Sequence, residues 1–353
     1  MGLTTKEIKQ IRDELDNCKR PLYFFDDDAD GLCSFLLLYK YVREGKGVVI
    51  KARPRITEDY IRKVEEYQPD KIFIVDLAIV DQEFIDRAKV PIIWIDHHEP
   101  LERNNVKYYN PRLKEIHNNI PVSYLCYQVV EENLWLAVTG CVGDWFLPDI
   151  SKEFSEKYPS LLPKKIKKPE DALFDSEVGK IAKIFNFILK GNTSEALKCA
   201  KILTRIEEPS EILEQASPRG KYIYRYYESI NREYESVLRY AIREVEKQKK
   251  NRIVVIDYVA RKMSFTGDLS NELLYRYPNH VIIITREKDG EMKSSIRSPK
   301  DIEINEILAK ALFGIQGYGG GHEHACGACI KKEDWKQFLV NLDEELMDSI
   351  KGK

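Results

Sequence analysis

Short apolar runs alternate with amphipathic stretches through the first 150 residues, and this alternation constrains the fold more than any other feature of the chain. Runs at 21–26, 47–52, 71–76 and 91–96, with a shorter one at 106–109, have the length and apolar content of buried strands. Strands at that spacing imply crossover units, hence a parallel sheet covered on both faces. In such a sheet ligands bind outside the carboxyl ends of the strands.

Acidic groups follow three of these runs. Asp26, Asp28 and Asp30 stand in FFDDDADG, Asp76 in IFIVDLAI, and Asp96, His97 and His98 in IIWIDHHEP; a fourth acid, Asp144, lies in TGCVGDW. A single Asp after a strand is commonly a turn residue or helix cap. Three acids at alternate positions of an extended segment point one way, however, and a second strand end adds a carboxylate and two imidazoles. Carboxylates gathered so closely repel by roughly 4 kcal/mol per pair at ~4 Å and an effective dielectric of ~20, unless cations lie between them. The chain reads as built to hold divalent metal.

With 353 residues, about two domains are expected. The 56 basic and 58 acidic residues nearly cancel, so any nucleic-acid surface must be a local patch. The opening residues lack the pattern of a signal peptide and no apolar stretch approaches the ~20 residues of a membrane span, which makes a cytoplasmic location without membrane contact the expectation. Seven cysteines, mostly in apolar contexts, suggest reduced buried thiols. The lone Cys326-Gly-Ala-Cys329 is read as part of a packed segment rather than a zinc or redox site.

Three segments are expected: 1–150, a helical connector over 151–250, and 251–353. The connector opens with Pro159, Pro163 and Pro169 among lysines. Over 219–250, Ile223, Tyr227, Ile230, Tyr234, Val237 and Ala241 step by fours and threes, predicting a long helix with one buried face. Tyr222, Tyr224, Tyr226, Arg225 and Arg232 lie on or beside this stripe. They suit helix packing, the favoured reading, and also base stacking with phosphate contact. The last segment has strand-like runs at 252–260, 280–285 and 292–298, a helix-like run at 268–277, and a glycine-rich loop, Gly319-Gly320-Gly321-His322, before an amphipathic tail helix. Consecutive glycines let backbone amides approach an anion. Arg297, Ser298 and His322 add donors suited to a phosphate.

DDDADG, IVDLA, DHHEP and VGDW, followed by SSIRS and GYGGGHEHACGA, closely resemble the DHH phosphoesterase superfamily with its DHHA1 companion domain. The opening motif is most similar to the RecJ-like exonucleases of archaeal type. The resemblance implies an α/β fold with an N-terminal parallel-sheet catalytic domain, a helical connector and a smaller C-terminal α/β substrate-binding domain. It further implies two divalent cations, Mn2+ preferred and Mg2+ possible. Asp26, Asp28 and Asp76 would serve one ion, and Asp30, His97 and Asp144 the other, with Asp76 bridging. Asp96 and His98 would orient His97 or touch the phosphate. Many relatives carry His where this chain has Phe24, so Asp26 supplies that corner.

The activity implied is hydrolysis of single-stranded DNA or RNA to mononucleotides by a metal-activated water. Arg297, Ser298, Gly319, Gly320, Gly321 and His322 would grip a phosphate or terminal nucleotide. Alternatives are a phosphodiesterase for short oligoribonucleotides or cyclic dinucleotides, a pyrophosphate or polyphosphate hydrolase, and a replication or repair scaffold. Replication and repair proteins are the partners the resemblance suggests.

Overall fold

A computed structural model describes residues 2–51, 55–259 and 263–351. The chain divides into two compact units, Met1–Ile230 and Asn231–Lys353.

The first unit begins with helix α1 (Thr5–Asp16), strand β1 (Pro21–Asp26), helix α2 (Ala29–Val42) and strand β2 (Lys46–Ile50). Strands β3 (Lys71–Val75), β4 (Ile92–Ile95) and β5 (Lys107–Tyr109) follow. The sheet is parallel, in the order β2-β1-β3-β4-β5. The run expected over 47–52 forms β2 and ends at Ile50; residue 52 lies outside the described residues.

β1 is an interior strand and buries five successive residues, which is why its sequence is apolar throughout rather than alternating. Leu22 and Phe24 pack with Ile72, Ile74, Phe84 and Trp94. Tyr23 and Phe25 point to the opposite face, where Tyr23 stacks on Phe73 and Phe25 on Phe35 of α2. Phe24 is fully buried edge-to-face against Phe84 and Tyr60. The chain leaves β1 toward β2 on one side and returns to β3 on the other. This reversal opens a crevice at the carboxyl ends of β1 and β3.

Helices α3 (Val122–Val130), α4 (Leu134–Gly143), α5 (Glu177–Ile188), α6 (Thr193–Leu203) and α7 (Pro218–Gln248) follow, with α7 carrying the chain into the second unit. The buried positions of α7 are Ile223, Tyr227, Ile230, Tyr234, Leu238, Ala241 and Val245. Val237, assigned to the stripe from its spacing, is only half-buried, and Leu238 takes its place. Two consecutive four-residue steps keep the buried face in phase with a straight helix, where strict four-three alternation drifts.

The second unit contains β6 (Ile253–Asp257), α8 (Thr266–Arg276), β7 (Val281–Lys288), β8 (Glu291–Arg297), α9 (Ile304–Ala311), β9 (Gly317–His322), β10 (Ala325–Lys331) and α10 (Trp335–Lys351). Its sheet order is β9-β10-β8-β7-β6, antiparallel except for the β6–β7 pair. The run expected over 252–260 forms β6; residue 260 lies outside the described residues. Ile283, Ile296, Leu308, Phe338 and Leu342 form the core under this sheet.

The glycine cluster is not a loop. Gly319, Gly320, Gly321 and His322 lie in β9, a fully exposed edge strand. Close approach to β10 selects glycine: a Cβ on Gly321 would stand 2.3 Å from Ala325 O, and its φ is +152°. Cys326 and Cys329 sit on β10 with an odd separation, so their thiols leave opposite faces. All seven cysteines are buried and free. Among the described residues no helix is long and apolar enough to cross a membrane.

Candidate metal centre

Register places three of the acids side by side. Phe25 pairs with Val75, and Val75 with Ile95, so the next residues, Asp26, Asp76 and Asp96, end adjacent strands. The ladder runs one step further, with Asp76 N donating to Ile95 O at 3.1 Å and Asp96 N to Tyr109 O at 3.0 Å. Asp76 then turns into the left-handed region at φ +58°. A non-glycine residue held there costs about 1–3 kcal/mol and persists only where its surroundings impose it.

Asp28 and Asp30 converge with Asp26 for a different reason from the extended alternation expected of them. β1 ends at Asp26, Asp28 is the N-cap of α2 with Oδ1 accepting from Gly31 N at 2.9 Å, and Asp30 lies in the first helical turn. Gly31 permits this tight entry, because a Cβ there would meet Asp26 N at 2.7 Å. Asp30 is 1% exposed. Its carboxylate caps α3, accepting from Val122 N at 2.7 Å, Ser123 N at 2.9 Å and the Ser123 hydroxyl. Asn186 of α5 steadies the turn by accepting from Ala29 N at 2.7 Å.

Asp144 follows a helix rather than a strand, as the C-cap of α4. Two glycines bring α4 close. A Cβ on Gly143 would lie 2.7 Å from Ala29 Cβ, and one on Gly140 would lie 2.4 Å from Ser123 Oγ.

Asp96 is fully buried and engaged within its own loop. Oδ1 accepts from His98 Nδ1 at 2.8 Å, and Oδ2 from His98 N at 3.2 Å and the Tyr108 hydroxyl at 3.3 Å. Asn110 Nδ2 closes the network on His98 O at 2.9 Å. His98 thereby receives a fixed orientation, and among the described residues its Nε2 makes no hydrogen bond. His97 Nε2 stands 3.3 Å from Asp76 Oδ1, and Nδ1 stands 3.8 Å from Asp144 Oδ2.

The electrostatics follow from burial. Desolvation, then the neighbouring acids, pushes the carboxyls of Asp26, Asp76 and Asp144 well above the ordinary range. Desolvation together with Asp30 raises Asp28. Asp30 is also raised by desolvation, against the pull of its Ser123 and Val122 hydrogen bonds. His97 is drawn down to about 4 by burial and by His98, which keeps the imidazole neutral at pH 7. Burial opposes charge on His98 too, but the bond to Asp96 outweighs it and raises the pKa.

Donor atoms gather in three sets, each within 4.8 Å: Asp26, Asp28 and Asp76; Asp30, His97 and Asp144; and Asp76, His97 and His98. Among the described residues, Asp76 Oδ1 is buried with no hydrogen-bond partner. An orphaned carboxylate oxygen among mutually repelling acids and a neutral imidazole fits divalent cations with oxygen and nitrogen preferences. Asp96, wholly engaged elsewhere, is not among the donors.

The second unit holds the remaining sequence-predicted residues. The Arg297 guanidinium donates from Nε to Asn271 Oδ1 at 2.6 Å and from Nη1 to Ile296 O at 3.0 Å, and burial lowers its pKa. Ser298 does not present a donor: it is 1% exposed and its hydroxyl donates to Ile302 O at 2.7 Å, holding the turn after β8. His322 is exposed at the end of β9. Sequence reasoning missed Ser123, Asn186, Tyr108 and Asn110, whose contacts are long-range or depend on loop geometry. The small-residue spacing Gly140-x-x-Gly143 was the one available signal for the close α4 packing.

Two family models match, the DHH family N-terminal domain over residues 22–139 and the DHHA1 domain over residues 239–348. The chain belongs to the DHH/DHHA1 superfamily. Its fold is similar to RecJ in complex with Mn2+ from Thermus thermophilus, with TM-score 0.71 and 17% identity over 99% of this chain and 56% of that one. This DHH/DHHA1 chain thus spans little more than half the length of that RecJ. A second structure, exonuclease RecJ bound to manganese, aligns with TM-score 0.64 and 15% identity over 99% of this chain and 97% of its own. The DHH domain of a member of a ribosomal-protein family aligns with TM-score 0.64 and 17% identity, covering 96% of this chain and 89% of that one. No curated protein sequence matches.

Proposed function

We propose that this DHH/DHHA1 protein is a metal-dependent phosphodiesterase that trims single-stranded DNA or RNA from an end, using two divalent cations with Mn2+ preferred. The observation that carries the reading is the pair of donor sets, Asp26-Asp28-Asp76 and Asp30-His97-Asp144, brought together where Asp76 Oδ1 approaches His97 Nε2 at 3.3 Å. The donor set is complete, which argues against a scaffold that has lost catalysis. Manganese in the two RecJ structures supports the choice of ion.

Cations bound there supply Lewis-acid chemistry, neutralising charge on phosphoryl oxygens and acidifying the attacking water. The protein contributes position. Val122 and Ser123 fix the Asp30 carboxylate, and Gly31 fixes Asp28 against Asp26. Asp96 holds the Nδ1 proton of His98 and biases the ring toward its cationic form, so that Nε2 donates to a phosphoryl oxygen. Arg297, oriented by the bonds from Nε to Asn271 and Nη1 to Ile296, and the exposed amides and His322 of β9 bind a substrate phosphate. Ser298 has no part in this contact.

A ladder of end-labelled oligonucleotides from about two to about thirty residues, incubated with Mn2+, tests the reading. Stepwise shortening of the longer members is expected. Cleavage confined to di- and trinucleotides would replace the exonuclease by a short-oligomer phosphodiesterase, and phosphate release from pyrophosphate alone would overturn the diesterase.

A further inference from the structure

The tyrosines and arginine of α7 do more than pack. Tyr222, Arg225, Tyr226 and Ser229 share one helical face and line a cleft of about 490 Å3 with Pro218 and Lys221. The two rings are anchored by their hydroxyls, Tyr222 to Glu195 Oε2 at 2.8 Å and Tyr226 to Lys190 O at 3.4 Å. Lys198 Nζ lies 4.4 Å from the Tyr222 ring centroid. Lys221 and Arg225 are exposed, and among the described residues neither head group has a carboxylate within 4 Å.

One side chain links the strand bearing Asp26's neighbour to the segment that anchors Tyr226. Lys51 directly follows β2, whose Ile50 pairs with Asp26. Its ammonium donates to Leu189 O and, at 2.9 Å, to Gly191 O, flanking the Lys190 carbonyl that anchors Tyr226. The charges of both Asp27 and Lys190 bear on it. Lys51 thus ties the end of β2 to the segment that anchors Tyr226, within one compact unit.

We propose that this cleft carries the continuing single strand of a polymeric substrate, with bases against Tyr222 and Tyr226 and phosphates against Lys221 and Arg225. The proposal rests on the phosphodiesterase reading and names the substrate as a strand longer than the residues at the metal centre. Aromatic rings beside uncompensated cations suit single strands irrespective of sequence. From Tyr222 to Ser229 the helix rises ~10 Å, a track rather than a point contact.

The test measures binding of a fluorescent single-stranded oligothymidylate of about 20 nucleotides by anisotropy, in EDTA so that no turnover occurs. The variant Lys221→Glu with Arg225→Glu alters two exposed side chains, and its thermal melt checks folding. About tenfold or greater loss of affinity is expected, with the salt slope reduced by about 1.4 for two lost phosphate contacts. Arg225→Lys should retain the slope. Unchanged affinity and slope in the charge-reversed variant would overturn the proposal. Hydrolysis of bis(p-nitrophenyl) phosphate by the wild type with Mn2+ reads the metal centre separately, so a failed phosphodiesterase and a failed strand track give different results.

Discussion

Asp76 Oδ1 lies 3.3 Å from His97 Nε2, on a residue that is 1% exposed and held at φ +58°. Burial and four neighbouring acids oppose charge on this carboxylate. Cations between the donors reverse that balance, so binding and stability are linked. At Mn2+ about 100-fold above its Kd the stabilisation is about 2.7 kcal/mol. That corresponds to roughly 5–10 °C in Tm for a unit of this size. Differential scanning fluorimetry with Mn2+ and with EDTA checks it, and Asp76→Asn should lose the response while melting no lower than the wild type in EDTA.

Gly31→Ala places a methyl group 2.7 Å from Asp26 N and pushes the start of α2 away from β1. The expected cost is about 1–3 kcal/mol in stability. Because Asp28 and Asp30 move with the helix, Mn2+ affinity should fall at least tenfold by calorimetry. A variant that binds Mn2+ like the wild type would show that the tight entry does not shape the cradle.

Asp96→Asn keeps the size of the side chain but no longer accepts the Nδ1 proton of His98 as an anion. Changes in such supporting groups typically cost 10–100-fold in activity or metal affinity. A kcat loss in that range on an oligonucleotide is expected, accompanied by a lower pKa for the His98 ring followed by NMR. Full activity with an unmoved His98 resonance would remove it from the mechanism.

Far from the crevice, Lys71 Nζ reaches Glu14 Oε2 at 2.7 Å and Lys107 contacts the other oxygen, tying α1 to β3 and β5. Burial tends to raise the Glu14 pKa, but the bonds to Lys107 and Lys71 outweigh it and lower the value. A depressed carboxylate stabilises the fold above its unfolded pKa and loses that contribution as pH falls through its folded value. Glu14→Gln should therefore be about 1 kcal/mol less stable than wild type at pH 7, with the difference shrinking in acid. Urea titrations at the two ends of that range measure it.

The strand runs and the acids at their ends were legible because a doubly covered parallel sheet demands continuous apolar strands, which terminate at the ligand-binding edge. The parallel-sheet first unit and the smaller α/β second unit follow that reading. Less legible was how Asp28 and Asp30 reach Asp26, since an N-cap and a helical turn place alternate residues on one side as well as an extended segment does. Ser298 was misread because a hydroxyl in a polar motif says nothing about whether it turns inward. Gly319–Gly321 has the composition of a loop, and only pairing with β10 makes it a strand. Val237 and Leu238 are both apolar, and packing alone selects between them.

The most direct test of the central claim is electron paramagnetic resonance of the protein titrated with Mn2+, with the bound metal counted by equilibrium dialysis. Two ions per chain with the multiline signal of a coupled pair are expected, replaced in Asp76→Asn by loss of coupling and of at least one ion. A wild-type chain that binds no Mn2+, or holds one isolated ion unaffected by Asp76→Asn, would contradict the account.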